Sequence, residues 1–215
     1  MTNSDVSLIA ALLDRSGSME SIADDTRGGF DAYITAQRGQ SGSTLVTLAQ
    51  FDTEYDVVYQ NRPVDDVPPL LLEPRGSTAL LDAIGRFVTE VGSGLVALPE
   101  RDRPGDVTVL VMTDGHENSS VEWTKDAVRE IISQQETVYD WDFVFLGANM
   151  DAIDVGTSLG FAPGKSLTYD ATGAGVGGAF SAVGGYTSRK RSRGDRPAAS
   201  VVFDDADRHG AQGRR

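Results

Sequence analysis

Hydrophobic residues along this chain are grouped in short continuous runs that end at polar or glycine residues. Such runs, rich in β-branched and aromatic residues, are typical of strands that are covered on both faces of a parallel sheet. We predict four buried strands from them, over residues 8–13, 44–51, 107–112 and 143–146. A weaker pattern of the same kind predicts a further strand over residues 166–169.

Between these runs the hydrophobic residues recur at helical spacing. The helical pattern covers residues 22–34, 80–91, 127–132 and, with many small residues, 176–183. Ser119 and Glu122 have the spacing of a capping box, so we expect the third helix to begin there. Strands that alternate with helices need crossover connections, which predicts a parallel sheet with helices on both faces.

One further strand is expected to run against the others. Residues 54–60 follow the second strand after only Asp52 and Thr53, a connection too short for a crossover but sufficient for a hairpin. We therefore predict an α/β fold with a doubly wound, mostly parallel central sheet and one antiparallel edge strand. Residues 1–187 would form this domain, and residues 188–215, rich in Arg, Gly and Asp, a loosely packed tail.

Composition and charge narrow the classes of function. The chain has 215 residues and no cysteine, which excludes disulfides and the common cysteine-containing zinc sites. No apolar run approaches the roughly 20 residues that span a bilayer, so we expect a cytoplasmic protein without membrane association. The net charge of −13 should repel nucleic acid and anionic lipid. Only the basic residues near the end could attract either: Arg189, Lys190, Arg191, Arg193 and Arg196.

Chemistry is expected at the carboxyl edge of the sheet, where ligands bind in open α/β folds. Polar clusters follow two of the predicted strands and precede one helix, and the chain supplies hydroxyls and carboxylates there. These hard oxygen donors select Mg²⁺, Mn²⁺ or Ca²⁺ over softer metals. Gly17 separates two of the serines, and a tight turn there would direct both hydroxyls to one point. The candidate ligands are Asp14, Ser16, Ser18, Thr78 and Asp114.

At these five positions the sequence resembles the von Willebrand factor A family, which includes the integrin inserted domains. That family has a metal-ion-dependent adhesion site made of an Asp-x-Ser-x-Ser motif, a threonine and a second aspartate, and all five match in order. The resemblance extends over residues 6–185 and implies a Rossmann-like fold in a bacterial or phage protein. It also implies that Ser16, Ser18 and Thr78 approach the ion directly or through water, while Asp14 and Asp114 balance its charge.

The predicted function is metal-dependent protein binding. A dication held mostly by neutral hydroxyls keeps exchangeable waters, and a partner's Asp or Glu carboxylate can replace one of them. The resemblance also suggests an adaptor role, in some relatives beside AAA+ ATPases. Two alternatives remain: an Mg²⁺- or Mn²⁺-dependent hydrolase acting on a phosphate or acyl substrate, and a structural module whose ion only stiffens the loops.

Several weaker motifs are assigned structural roles. Gly173, Gly175 and Gly178 fit a dinucleotide-binding pattern, but they lie late in the chain without the acidic residue that the pattern requires, so close helix packing is the better interpretation. The segment around Lys165 lacks the first glycine of a P-loop. The polar loop after Asp114, which begins with His116 and Glu117, is left out of the metal set.

Overall fold

The computed structural model describes residues 2–148, 150–192 and 200–213 of the chain. Within them a six-stranded sheet has the order β3-β2-β1-β4-β5-β6. All neighbouring pairs are parallel except β2 and β3, which form the predicted antiparallel hairpin. The strands are β1 (Asn3–Asp14), β2 (Ser43–Phe51), β3 (Tyr55–Pro63), β4 (Pro104–Thr113), β5 (Asp142–Ala148) and β6 (Ser166–Tyr169).

Helices cover both faces of this sheet, which confirms the predicted doubly wound α/β architecture. Strand β1 shows why: Ile9 and Leu13 point into one hydrophobic cluster, and Leu8 and Leu12 into the other. This alternation has the two-residue period of a strand, and each face needs its own cover of helices. The helices are α1 (Ala23–Arg38), α2 (Leu80–Ala97), α3 (Lys125–Tyr139), α4 (Ala152–Leu159), α5 (Gly173–Arg191) and α6 (Asp205–Ala211).

The predicted start of helix α3 is wrong. The helix begins at Lys125, and the Thr124 side chain caps it by accepting a hydrogen bond from the backbone N–H of Ala127. The N–H of Ser119 is instead bound by the Glu117 carboxylate, and Glu122 pairs with Arg86 of α2. Residues 119–123 therefore form a loop held against α2, because contacts distant in sequence compete with the local capping box.

The prediction of a loosely packed tail is wrong for residues 200–213. Val201 and Phe203 are buried in the hydrophobic cluster between α5 and the sheet, and α6 packs on α5. An ideal Cβ at Gly178 would lie 2.1 Å from the carbonyl oxygen of Gly210, which supports the close-packing interpretation of this glycine. The few apolar residues of this polar segment, among them Val201 and Phe203, are enough to hold it against the domain. The boundary at residues 187 and 188 stays a prediction.

The basic residues at the end of α5 are structural. Lys190 is 2% exposed, and it donates to the Thr108 hydroxyl and pairs with Asp106. Arg189 pairs with Asp207, and Arg191 donates to the Thr44 hydroxyl, so these cations are not the solvated residues we expected. Arg193 and Arg196 lie outside the described residues. Across the described part of the chain, no helix is both long and apolar enough to cross a bilayer.

Candidate metal site

The candidate site lies where the order of the strands reverses. Strand β1 is paired on one side with β2 and on the other with β4, so the loops that follow β1 and β4 leave the sheet beside each other. Asp14 is the last residue of β1, and Thr113 is the last residue of β4. Open α/β sheets bind ligands in the crevice at such a point. The first and third candidate loops both border it.

Hydrogen bonds join these two loops directly. The backbone N–H of Ser16 donates to Oδ1 of Asp14 at 2.6 Å, and the Ser16 and Ser18 hydroxyl oxygens are 3.1 Å apart. The Ser18 hydroxyl donates to Oδ1 of Asp114 at 2.6 Å, across 96 positions of sequence. The tight turn at Gly17 therefore directs both hydroxyls to one side, as the Asp-x-Ser-x-Ser spacing predicted.

Thr78 of the second loop reaches the same place. An ideal Cβ at Gly115 would lie 2.8 Å from Oγ1 of Thr78 and 3.4 Å from Oγ of Ser18, so both hydroxyls border one small volume next to Asp114. The backbone N–H of Gly17 also donates to the carbonyl of Gly76 at 3.1 Å, which holds the second loop on the first. The fold thus brings all five candidate ligands together.

The carboxyl groups of the two aspartates of the site are buried, and neither has a cationic side chain as a partner among the described residues. Asp14 is 0% exposed and Asp114 is 6% exposed. Burial raises the pKa of Asp14 to about 6, although Thr113 and Ser16 donate hydrogen bonds to it. Burial also raises the pKa of Asp114 above its ordinary value. Among the ion pairs of the described residues, none involves either aspartate.

Other buried aspartates in the described regions are compensated. Asp52 pairs with Arg15 and Arg75, each at 2.8 Å, and Asp142 pairs with lysine side chains. Asp82 accepts hydrogen bonds from three consecutive backbone N–H groups, those of residues 121–123. A buried uncompensated charge costs several kcal/mol in general. Asp14 and Asp114 therefore fit a site that is completed by a cation from outside the chain.

The donor set fits a hard dication. Two carboxylates and three hydroxyls are all oxygen ligands, which Mg²⁺, Mn²⁺ and Ca²⁺ prefer. The described residues contain no cluster of three or more His, Cys, Asp or Glu side chains that could hold a metal, so the hydroxyls are essential to this set. Asp14, Ser16, Ser18, Thr78 and Asp114 would hold the ion.

Residues that we did not predict hold the site in place. The hydroxyl of Thr113 donates to Oδ2 of Asp14 at 2.5 Å. Asn118 forms two hydrogen bonds with the backbone of Thr78: its side-chain oxygen accepts from the Thr78 N–H at 3.0 Å, and its N–H donates to the Thr78 carbonyl at 3.1 Å. In the sequence, the only sign of these supporting residues was the run of polar residues after β4, and that run did not show which groups they would bind.

Glu117 has a structural role, in agreement with its exclusion from the metal set. Its two carboxylate oxygens accept hydrogen bonds from the N–H groups of Leu81, Ser119 and Ser120, and from the Ser120 hydroxyl. These bonds lower the pKa of Glu117 despite the opposing effect of its burial. Together with Asp82, Glu117 fastens the loop after Asp114 to the start of α2, so the second and third loops form one unit.

We expect Asn118→Ala to weaken Mg²⁺ binding by about 10- to 100-fold, the usual range for residues that orient metal ligands. The substitution removes the hydrogen bond from the Thr78 N–H to the side-chain oxygen and keeps the one from the N–H of residue 118 to the Thr78 carbonyl, so Thr78 would be held less firmly. Isothermal titration calorimetry measures the affinity. The control is His116→Ala, which alters an exposed side chain in the same loop. Equal affinities for the two variants would contradict the positioning role of Asn118.

Comparison with known proteins reveals likeness at the level of structure. The von Willebrand factor domain of the type V pili tip protein Mfa5 from Porphyromonas gingivalis superposes with a TM-score of 0.60 at 10% identity, covering 91% of this chain and 99% of that one. A von Willebrand factor type A protein from Catenulispora acidiphila gives 0.57 at 14%, covering 86% and 43%. Proximal thread matrix protein 1 from the mussel byssus, with a zinc-occupied MIDAS motif, gives 0.56 at 14%, covering 85% and 45%.

These likenesses establish the fold and no more. The chain spans less than half the length of the second and third of these structures. No protein-family model matches the sequence. No curated protein matches it either.

Proposed function

From the von Willebrand factor A fold of this chain, we propose that it binds a divalent cation and, through it, a protein partner. The ligands would be Asp14, Ser16, Ser18, Thr78 and Asp114. The observation that carries the proposal is the pair of buried aspartates without a cationic side chain, set beside three hydroxyls from two loops.

When bound, the cation supplies a positive, exchangeable coordination position at the surface of an acidic protein. Because the nearest ligands would be mostly neutral hydroxyls, the charge of the ion would be incompletely compensated on its open side, so a further carboxylate is a favourable ligand. Ser18 is exposed to solvent, which leaves one side of the site open to a partner. The partner would therefore present an Asp or Glu side chain, even though the body of the chain is acidic.

We propose Mg²⁺ as the native ion, with Mn²⁺ or Ca²⁺ able to replace it. Mg²⁺ is bound in proteins by one or two carboxylates while it keeps several waters, which suits a site with two aspartates and an open side. The zinc-occupied MIDAS motif of the mussel protein supports a divalent ion in a site of this type. In this proposal the ion binds a carboxylate of the partner, whereas in a structural module it would only stiffen the loops.

The same donor set makes a binding role more suitable than catalysis. The Ser16 and Ser18 hydroxyls hydrogen-bond each other, and Ser18 donates to Asp114. Neither hydroxyl has a histidine or lysine as a hydrogen-bond partner among the described residues. Hydrolysis in which one of these serines attacks the substrate would need such a base. We therefore propose that the protein is not an enzyme.

The cellular setting is a further part of the proposal. We propose a cytoplasmic protein of a bacterium or phage that acts as an adaptor, with AAA+ ATPases as one class of partner. Composition and the family resemblance support this setting.

An affinity capture from the native host tests the binding function. We expect a partner to be retained by the wild-type protein in Mg²⁺ and to be lost in EDTA and with Asp14→Asn. The matched control, Asp126→Asn, changes an exposed aspartate in the first turn of α3 and should retain the partner. Capture that is unchanged by EDTA would contradict the proposal, as would phosphatase or esterase turnover that depends on Asp14.

A further inference from the structure

A second candidate site lies at the opposite edge of the sheet from the metal residues. A cavity of about 510 Å³ opens between α2 and α3, over the amino ends of β4 and β5. Its volume falls within the range of roughly 300–1,000 Å³ that is usual for small-molecule sites. None of the residues that line it belongs to the five candidate metal ligands, so the cavity is a separate feature of the molecule.

The interior of this cavity is apolar. Val88 and Leu95 of α2, Ile131 of α3, Val107 of β4 and the indole of Trp141 line it. Trp141 is itself buried and stacks on Phe143, which fixes the ring as a flat floor. An apolar chain or ring system would be removed from water against these side chains, at roughly 25 cal/mol per Å² of area buried.

Glycine on α2 contributes to the open space. An ideal Cβ at Gly92 would lie 3.8 Å from Cη2 of Trp141, which is an ordinary contact distance. The helix could therefore carry a side chain at this position, and a larger one would extend into the cavity. The space between α2 and the indole depends on the absence of that side chain.

The charge at the cavity is opposite in sign to the charge of the protein. Among the described residues that line it, Arg103 is the only charged one, in a chain with 32 acidic residues. Nε and Nη2 of Arg103 donate to the carbonyls of Leu98 and Val96 at 3.0 and 2.9 Å, so the guanidinium is held in place. Glu100 lies on the adjacent 3-10 turn and interacts electrostatically with Arg103, but it does not line the cavity. A fixed arginine is a usual partner for a carboxylate.

We propose that this cavity binds an amphipathic small molecule with a carboxylate head group. The apolar part would lie against Trp141 and the α2–α3 walls, and the carboxylate would face Arg103. Both the shape of the cavity and the sign of its single charge lead to this ligand class, and neither involves the metal site.

Decanoate is a suitable probe, tested by isothermal titration calorimetry on the full chain in EDTA. We expect saturable binding that is at least about tenfold tighter than that of decyltrimethylammonium, which has the same apolar chain and the opposite charge. Gly92→Leu should abolish decanoate binding by filling the cavity. The matched control is Gly94→Leu on the same helix, where an ideal Cβ meets no atom within 4 Å and the residue does not line the cavity. It should bind as the wild type does.

The outcomes are distinct. Decanoate binding that survives Gly92→Leu, in a variant whose circular dichroism shows a folded protein, would place the ligand elsewhere and overturn the proposal. Equal affinity for decanoate and the ammonium probe would overturn the role of Arg103. No binding of either probe, with wild-type protein that dimerises as its concentration rises, would assign this face to a second copy and also overturn the proposal. Because EDTA is present throughout, failure of the metal-dependent function cannot produce any of these results.

Discussion

Asp14→Asn is expected to abolish Mg²⁺ binding while leaving the metal-free protein at least as stable as the wild type. Asparagine keeps the size of the side chain, and its oxygen can still accept from the Ser16 N–H. It removes a charge that, at about 4 Å and an effective dielectric near 20, attracts each unit of cation charge by about 4 kcal/mol. We therefore expect the affinity to fall by at least about 100-fold, as measured by calorimetry.

The stability half of this prediction follows from the buried, unpaired charge. In EDTA the wild-type protein must bury the Asp14 carboxylate without a cation, and the neutral amide removes that cost. The thermal midpoint of Asp14→Asn in EDTA should equal or exceed that of the wild type. Added Mg²⁺ should raise the midpoint of the wild type alone, because a ligand stabilises only the state that binds it. A variant that is less stable in EDTA but still stabilised by Mg²⁺ would show that Asp14 is structural.

Asp142→Ala should cause the largest loss of stability that we predict. The Asp142 carboxylate, at the start of β5, is fully buried and pairs with Lys165, while the Tyr186 hydroxyl donates to it at 2.5 Å. The Nζ atom of Lys190 lies 3.5 Å from Oδ2 of the same carboxylate. Removing one partner of a buried ion pair typically costs about 3–5 kcal/mol. Urea denaturation should show this loss, which is a large part of the 5–15 kcal/mol typical of a domain.

A second substitution tests the cause of that loss. Lys190 keeps Asp106 at 2.8 Å, whereas Lys165 keeps only Glu136 at 4.0 Å, so Lys165 loses most. The double variant Asp142→Ala/Lys165→Met should therefore be more stable than Asp142→Ala alone, since it no longer buries an ammonium whose remaining ion pair is long. Glu130→Ala, which changes an exposed side chain of α3, is the control and should stay within about 0.5 kcal/mol of the wild type. A double variant less stable than the single one would contradict this account.

Local patterns predicted most elements of the fold. The continuous runs around residues 8–13 and 107–112 identified buried parallel strands, because a strand covered on both faces has no polar side to show. The two-residue connection at Asp52 and Thr53 identified the hairpin, because so short a connection cannot hold a crossover. The predicted start of α3 was wrong because the choice between Ser119 and Thr124 as the cap depended on Asp82 and Glu117, which accept hydrogen bonds from the N–H groups of residues 119–123.

The sequence by itself predicted the succession of the six strands and of four of the six helices that the structure describes, and it indicated a set of five candidate oxygen ligands. Period, spacing and residue chemistry are local properties, and the carboxyl ends of parallel strands share one edge of the sheet. Only the tertiary structure decided which buried charges are compensated, how Asn118 holds Thr78, and that residues 200–213 pack on α5. Each of these depends on which distant segments become neighbours, and hydrogen bonds and ion pairs act only over a few ångströms in space, whatever the separation along the chain.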